Sequence, residues 1–98
     1  MKNFLFLISV LLMIVSCGQT AVEYYNQGNA KRNLKDYIGA IADYTKAIEL
    51  DPTFGHAYYN RGLLKNALSD TDGACMDWSK AGELGDSNAY ELIKKHCN

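Results

Sequence analysis

The sequence predicts an all-α fold in which two helical hairpins stack as a short α-solenoid and a fifth helix covers the end. The first observation is a self-match: YYNQG at 24–28 returns as YYNRG at 58–62, 34 residues later. A fixed period of about 20–50 residues is the signature of a repeat architecture. The second observation is that apolar residues recur at helical spacing, with no strongly alternating strand pattern.

Agreement at this offset extends over a whole period. The matching pairs are Gly28 and Gly62, Lys31 and Lys65, Leu34 and Leu68, Asp36 and Asp70, Ala40 and Ala74, Asp43 and Asp77, Lys46 and Lys80, Ala47 and Ala81, and Leu50 and Leu84. Tyr44 is matched by another large aromatic residue, Trp78. Because the recurring residues are mainly small and aromatic, the repeat indicates packing and not a duplicated active site.

The first hairpin is predicted over residues 21–50. Its first helix runs from about Ala21 to Leu34, and Asp36 is placed to cap the second helix. Apolar residues follow at helical spacing along that second helix, namely Ile38, Ile41, Tyr44, Ala47 and Ile48. The helix ends before Pro52, because proline cannot continue it.

The second hairpin, over 55–84, repeats this plan. A third helix is expected from about His56 to Leu68, and a fourth follows the cap Asp70. Gly85 suits a left-handed turn at the end of the fourth helix. A covering helix is expected over 86–96 with Asp86 as N-cap. Its Ala89, Leu92 and Ile93 are predicted to face inward, and its Glu91, Lys94 and Lys95 to face water.

Glycines at matching positions predict where the helices approach each other. We expect Gly28 and Gly62 to admit close contact within each hairpin, with Tyr44 and Trp78 filling the space beside them. Glycine inside a helix costs up to about 1 kcal/mol relative to alanine. Its recurrence at Gly39 and Gly73 therefore also predicts tight helix packing.

The stretch 21–52 resembles a tetratricopeptide repeat. The resemblance rests on the run KAIELDP at 46–52 and on Gly28, Tyr37, Ala40, Tyr44, Ala47 and Pro52. The second copy carries Gly62, Ala74, Trp78 and Ala81, and it departs from the pattern at Thr71 and Asp86. The resemblance implies one repeat over 21–54, a second over 55–85, and a covering helix over 86–98.

The first 20 residues, MKNFLFLISVLLMIVSCGQT, predict a secretory signal. One positive charge, Lys2, precedes an uncharged run of 12 residues from Phe4 to Val15. A retained membrane anchor is the alternative, but a spanning helix needs roughly 20 apolar residues.

Ile14-Val15-Ser16-Cys17 resembles the lipobox of bacterial lipoproteins. This resemblance implies that 1–16 is removed, that Cys17 is acylated, and that 17–20 becomes a lipidated tether. Two or more acyl chains hold a protein stably on a membrane. Gly18 in place of aspartate favours the outer membrane of the cell envelope. An ordinary secretory signal with a chance cysteine stays open.

Cys75 and Cys97 are predicted to form a disulfide. The covering helix should run antiparallel to the fourth helix, which brings the two sulfurs together, and an oxidising compartment lets them bond. Two free thiols are the alternative. A metal site with His96 is disfavoured, because structural zinc usually takes four ligands.

The composition and motifs favour a binding module over an enzyme. Net charge is −1 with no basic stripe, so nucleic acid is not expected as a partner. We find no catalytic constellation, phosphate loop, cofactor motif or metal motif. The resemblance implies a concave groove for a partner protein or peptide, lined by Tyr25, Asn29, Arg32, Tyr59, Asn60, Leu63, Asn66 and Lys94.

Two details qualify the groove. Asn29, Asn60 and Lys94 match the carboxylate clamp of some family members, whereas Tyr25 and Tyr90 stand where the clamp has lysines. Tyr25 and Tyr59 suit a binding surface and a packed core equally. A structural subunit docked permanently in an envelope complex is the alternative function, and an apolar patch on an end repeat would favour it.

Overall fold

The structure, a computed structural model, describes residues 18–98, so the predicted signal at 1–16 and the lipidation site Cys17 lie outside the described residues. Helix α1 spans Ala21–Asn33, α2 Tyr37–Leu50, α3 Gly55–Ala67, α4 Thr71–Glu83 and α5 Asn88–His96. Over 18–98 the chain contains no strand. The all-α prediction is confirmed, and the helix bounds differ from the predicted ones by two residues at most.

The turns inside the two hairpins have the same geometry. The carboxylates of Asp36 and Asp70 accept hydrogen bonds from the backbone N–H groups of Gly39 and Gly73, both at 3.0 Å. Lys35 and Ser69 occupy equivalent positions with φ of 62° and 69°, a left-handed conformation that side chains other than glycine adopt infrequently. Shared strain and shared caps therefore define the turn of each repeat.

The prediction for Gly39 and Gly73 was wrong. Both glycines lie in the first turn of their helices, and a Cβ built at either position would meet the capping carboxylate of Asp36 or Asp70. The adjacent group is thus the cap of the same helix and not a neighbouring helix.

Gly28 and Gly62, by contrast, are the predicted points of close approach. A Cβ on Gly28 would lie 2.7 Å from Cε1 of Tyr44, and one on Gly62 would lie 2.6 Å from Nε1 of Trp78. Real Cβ contacts are never this short, so each aromatic ring occupies the space that a side chain would need. This prediction is confirmed in both repeats.

Two buried clusters form the core. The first joins Ala40 and Tyr44 of α2 to Leu64 of α3, so it also connects the two repeats. The second contains Ala74, Trp78 and Ala81 of α4 with Ala89 of α5. Tyr44 and Trp78 are the largest side chains that are fully buried in the described residues.

Helix α5 covers the second cluster, as the sequence predicted. Leu92, Ile93 and Cys97 pack against it from one side, and Tyr58, Tyr59 and Leu63 of α3 pack against it from the other. The two sets are offset by 34 residues, so α3 and α5 present equivalent positions to α4. The prediction of Asp86 as N-cap is wrong by one residue: Ser87 is the N-cap of α5 and makes no side-chain capping bond. Asp86 Oδ1 nevertheless accepts a hydrogen bond from the Asn88 N–H at 3.2 Å.

Candidate partner-binding site

Two of the predicted groove residues are joined directly. Asn60 on α3 donates from Nδ2 to the hydroxyl oxygen of Tyr25 on α1 at 2.9 Å. The Tyr25 ring lies against Phe54 and Tyr44, with centroids 4.8 and 5.7 Å away. Asn60 is only 8% exposed. This pair therefore links the first helices of the two repeats at a position predicted for partner contact.

A third predicted residue, Asn29, is bonded within its own repeat. The buried phenol of Tyr44 donates to Asn29 Oδ1 at 2.6 Å. Burial raises the pKa of Tyr44, and the nearby positive charge of Arg32 opposes that shift in part. Asn29 thus satisfies a core hydroxyl as well as lying on the predicted surface.

The remaining predicted residues lie along the same helices. Tyr59 and Leu63 are partly buried against the Trp78 cluster. Asn66 Oδ1 accepts from the Thr71 hydroxyl at 3.2 Å, beside the second turn. Lys94 is exposed on α5. The structure brings Tyr25 and Asn60 into contact, and partner binding by all eight residues stays a prediction.

Sequence reasoning missed an ion cluster around Asp77. Arg61 donates from Nε and Nη2 to the two carboxylate oxygens at 2.8 and 2.7 Å, and Lys65 lies 3.1 Å away. Arg61 also donates to Thr45 of the first repeat at 3.2 Å. Hydrogen bonding to Asp77 raises the pKa of Arg61. Arg61 therefore connects three helices through one side chain.

A signal for this cluster was present in the sequence. Lys65 and Asp77 recur as Lys31 and Asp43 at the 34-residue offset, and Lys31 Nζ lies 2.9 Å from Asp43 Oδ2. That oxygen has the ammonium nearby but no hydrogen bond of good geometry in the described part of the chain. A repeated pair of opposite charges at repeated core positions predicts a repeated ion pair.

The two cysteines meet as the sequence predicted. Cys75 and Cys97 form a disulfide with their Cα atoms 5.7 Å apart, inside the roughly 7 Å limit for a bridge. His96 lies against the Trp78 ring, with centroids 5.5 Å apart. In the region 18–98 we find no group of three His, Cys, Asp or Glu side chains that is arranged to hold a metal ion.

Comparison with known proteins identifies the repeat. Two profiles described as tetratricopeptide repeat match the chain, one over residues 21–54 and one over 43–76. Together they cover more than half of the sequence. The chain is a tetratricopeptide repeat protein. No curated protein matches it.

Tetratricopeptide repeats are protein–protein interaction modules, and the family is generally non-catalytic. The repeats of this protein therefore support partner binding. None of the helices described over 18–98 has the length and apolar character needed to cross a membrane.

Proposed function

We propose that this protein is a lipid-anchored interaction module of the bacterial cell envelope, which binds a peptide or helix of a partner protein along α1 and α3. The observation that carries the proposal is the bond between Tyr25 and Asn60. This bond holds two polar groups of neighbouring first helices side by side, at positions that the sequence predicts for the groove.

The chemistry of this pair suits a peptide backbone. The Tyr25 oxygen accepts from Asn60, so the phenolic hydrogen is free to donate to a carbonyl group. Oδ1 of Asn60 is available to accept from an N–H group. Tyr59 and Leu63, which are partly buried on α3, would add apolar contact, and tyrosine gives such contact at a low cost in conformational entropy.

The membrane part of the proposal rests on the sequence before α1. The lipobox resemblance at Ile14–Cys17 implies acylation of Cys17, and only residues 18–20 separate that position from Ala21. Three residues span at most about 11 Å, so the domain would lie close to the membrane surface. Gly18 favours the outer membrane.

One observation favours a second candidate, a subunit docked permanently in an envelope complex. Leu34 and Ile38, around the first interhelical turn, are 81% and 75% exposed. At the equivalent positions Leu68 is 46% exposed and residue 72 is an aspartate. The exposed apolar pair at the turn of the first repeat is therefore not reproduced at the turn of the second, and a permanent partner would cover it.

Site-specific crosslinking separates these candidates. A photoreactive amino acid is placed at Tyr59 in one variant and at Ile38 in another, each in the membrane-bound protein. Crosslinking through position 59 to an identified partner supports the groove. Crosslinking through position 38 alone, with none through 59, contradicts it and supports the docked subunit.

Substitution of the groove gives an independent test. Tyr59→Ala should weaken capture of that partner about 30-fold, because interface anchors contribute about 2 kcal/mol or more each. The helical circular dichroism should stay nearly unchanged. If Tyr59→Ala unfolds the domain as severely as Trp78→Ala does, Tyr59 belongs to the core and the groove assignment fails.

Lipid anchoring is tested separately. The wild-type protein should incorporate labelled fatty acid and sediment with membranes, and Cys17→Ser should abolish the label. A soluble wild-type protein with an unmodified Cys17 would show that the lipobox reading is wrong, and the groove proposal would remain.

A further inference from the structure

Helix α5 is too short to be stable by itself. It has nine residues, Asn88–His96, whereas isolated helices shorter than about 12–15 residues are marginal in water. The helix that it packs against is α4. Its helical state therefore depends on attachment to α4.

Besides its apolar packing and the contact of His96 with the Trp78 ring, two bonds hold α5 in place, one near each end. Near its start, the Tyr90 hydroxyl donates to the backbone carbonyl of Gly82 at 3.2 Å. At its end, Cys97 is bonded to Cys75, which lies 22 residues earlier in the first half of α4. The covalent attachment is the only one of the two that a redox reaction removes.

We propose that the Cys75–Cys97 disulfide is a redox latch that controls whether α5 covers the second repeat. Both cysteines are only partly buried, and both border two open hollows on the surface. A thiolate therefore has access to the sulfurs. The expected reductant is a dithiol, either a small molecule or a protein with a Cys-x-x-Cys site.

The reaction is ordinary thiol–disulfide exchange. One thiolate of the dithiol attacks a sulfur of the pair, the S–S bond breaks, and a mixed disulfide forms. The second thiol of the reagent then releases the protein. Two electrons and two protons pass to Cys75 and Cys97, which become thiols, and the reagent becomes a disulfide.

Release of α5 changes the surface of the domain. Ala74, Trp78 and Ala81 of α4 are fully buried while α5 is in place. They form an apolar strip whose other side is flanked by α3. Opening exposes this strip without disturbing the ion cluster around Asp77, which joins α3 to α4. The latch thus controls one end of the solenoid.

Hydrogen exchange measures the latch directly. The full-length protein carries Cys17→Ser, so that Cys75 and Cys97 are its only cysteines, and it is compared before and after treatment with dithiothreitol. A crosslink over 22 residues limits the conformations of the open state, in which α5 is detached. It should lower the population of that state about a hundredfold. The amides of α5 should therefore exchange about a hundredfold faster after reduction, and those of α1–α3 less than threefold faster.

A variant with Cys75→Ser and Cys97→Ser is the control. It should show fast exchange in α5 with and without dithiothreitol, which excludes a direct effect of the reagent. Emission of Trp78, the single tryptophan, should move to longer wavelength on reduction while ellipticity at 222 nm is largely kept.

Two outcomes overturn the proposal. If exchange in α5 changes less than threefold on reduction, packing alone holds the helix. If exchange rises equally in all five described helices, the disulfide stabilises the whole domain and is not a local latch. Neither outcome depends on the groove or on the lipid anchor.

Discussion

In the first repeat the buried carboxylate of Asp43 meets one cation, Lys31, whereas in the second repeat Asp77 meets two, Lys65 and Arg61. The difference arises because Gln27, which carries no charge, occupies in the first repeat the position that Arg61 occupies in the second. A carboxylate taken out of water needs paired charges and good hydrogen bonds, and only Asp77 has a bidentate guanidinium partner.

The central aromatic residues also differ, but here the first repeat has the polar partner that the second repeat lacks. The Tyr44 hydroxyl is satisfied by Asn29 at 2.6 Å. Trp78 Nε1 has no hydrogen-bond partner in residues 18–98, and Leu63 stands at the register of Asn29. The hydroxyl at the centre of the first cluster is thus hydrogen-bonded, whereas Trp78 in the second cluster is surrounded by apolar packing from α3 and α5.

These differences indicate that the second repeat is the stable half of the domain. It is crosslinked to α5, and its buried Asp77 meets two cations where Asp43 meets one. The first repeat has no covalent crosslink in the described structure. Because repeat proteins are stabilised by nearest-neighbour contacts, local opening should begin at α1 and α2.

The largest expected effect is that of truncating Trp78. Trp78→Ala should lower the free energy of unfolding by about 3–5 kcal/mol, since a large buried aromatic leaves a cavity. Tyr44→Ala should cost less, because the smaller tyrosine ring leaves a smaller cavity and no disulfide crosslinks its repeat in the described residues. Urea denaturation followed by circular dichroism measures both. An equal or larger loss for Tyr44→Ala would contradict the assignment of the stable half.

Removing Arg61 should come next. Arg61→Ala leaves Asp77 buried with Lys65 alone, and breaking a buried pair typically costs about 3–5 kcal/mol. Lys31→Ala, which removes the cation paired with Asp43, is the comparison in the first repeat. Lys31 is 42% exposed, so water can replace it in part and the loss should be about 1 kcal/mol.

The two ion-pair variants are compared in the same denaturation experiment. Equal losses would mean that Arg61 contributes no more to stability than the more exposed Lys31, and the contrast between Asp43 and Asp77 would then have no energetic consequence.

The fold could be predicted from the sequence because its signals are local and repeated. The caps at Asp36 and Asp70, the stop at Pro52 and the contacts at Gly28 and Gly62 each follow from one residue type at one register position. The cover by α5 and the pairing of Cys75 with Cys97 follow from helix direction. These features required no knowledge of side-chain conformation.

The site could be predicted only in part. Whether Asn60 faces a partner or the core depends on the rotation of α3. The structure shows its burial and its bond to Tyr25, and its contact with a partner stays a prediction. The role of Arg61 was missed because the residues that accept its hydrogen bonds, Thr45 and Asp77, lie on two other helices. Their spacing in the sequence does not connect them to Arg61. The prediction for Gly39 was wrong because a glycine can be required either beside a capping carboxylate or beside a packed helix, and the sequence does not distinguish the two cases.

The close contacts at Gly28 and Gly62 predict equal effects of substitution in the two repeats. Gly28→Ala and Gly62→Ala should each cost about 1–3 kcal/mol, because the added methyl group overlaps Tyr44 or Trp78. Gly85→Ala tests backbone strain alone, since its φ is 99° and nothing lies near its Cβ. A loss of stability for Gly62→Ala but not for Gly28→Ala would show that the core of the first repeat adjusts more easily to an added methyl group.

The smallest effect concerns ionisation of Tyr44. Burial raises its pKa above the ordinary value of about 10, and donation to Asn29 also favours the neutral phenol. Because the folded-state pKa is raised, the stability from this group is fully present below pH 10 and is lost as the pH rises through the folded pKa. In an alkaline titration followed by absorbance at 295 nm, Tyr44 should ionise last of the seven tyrosines. Tyr44→Phe is the control and should remove that last step; if the step persists, another tyrosine produces it and the first core is more open to water than the structure indicates.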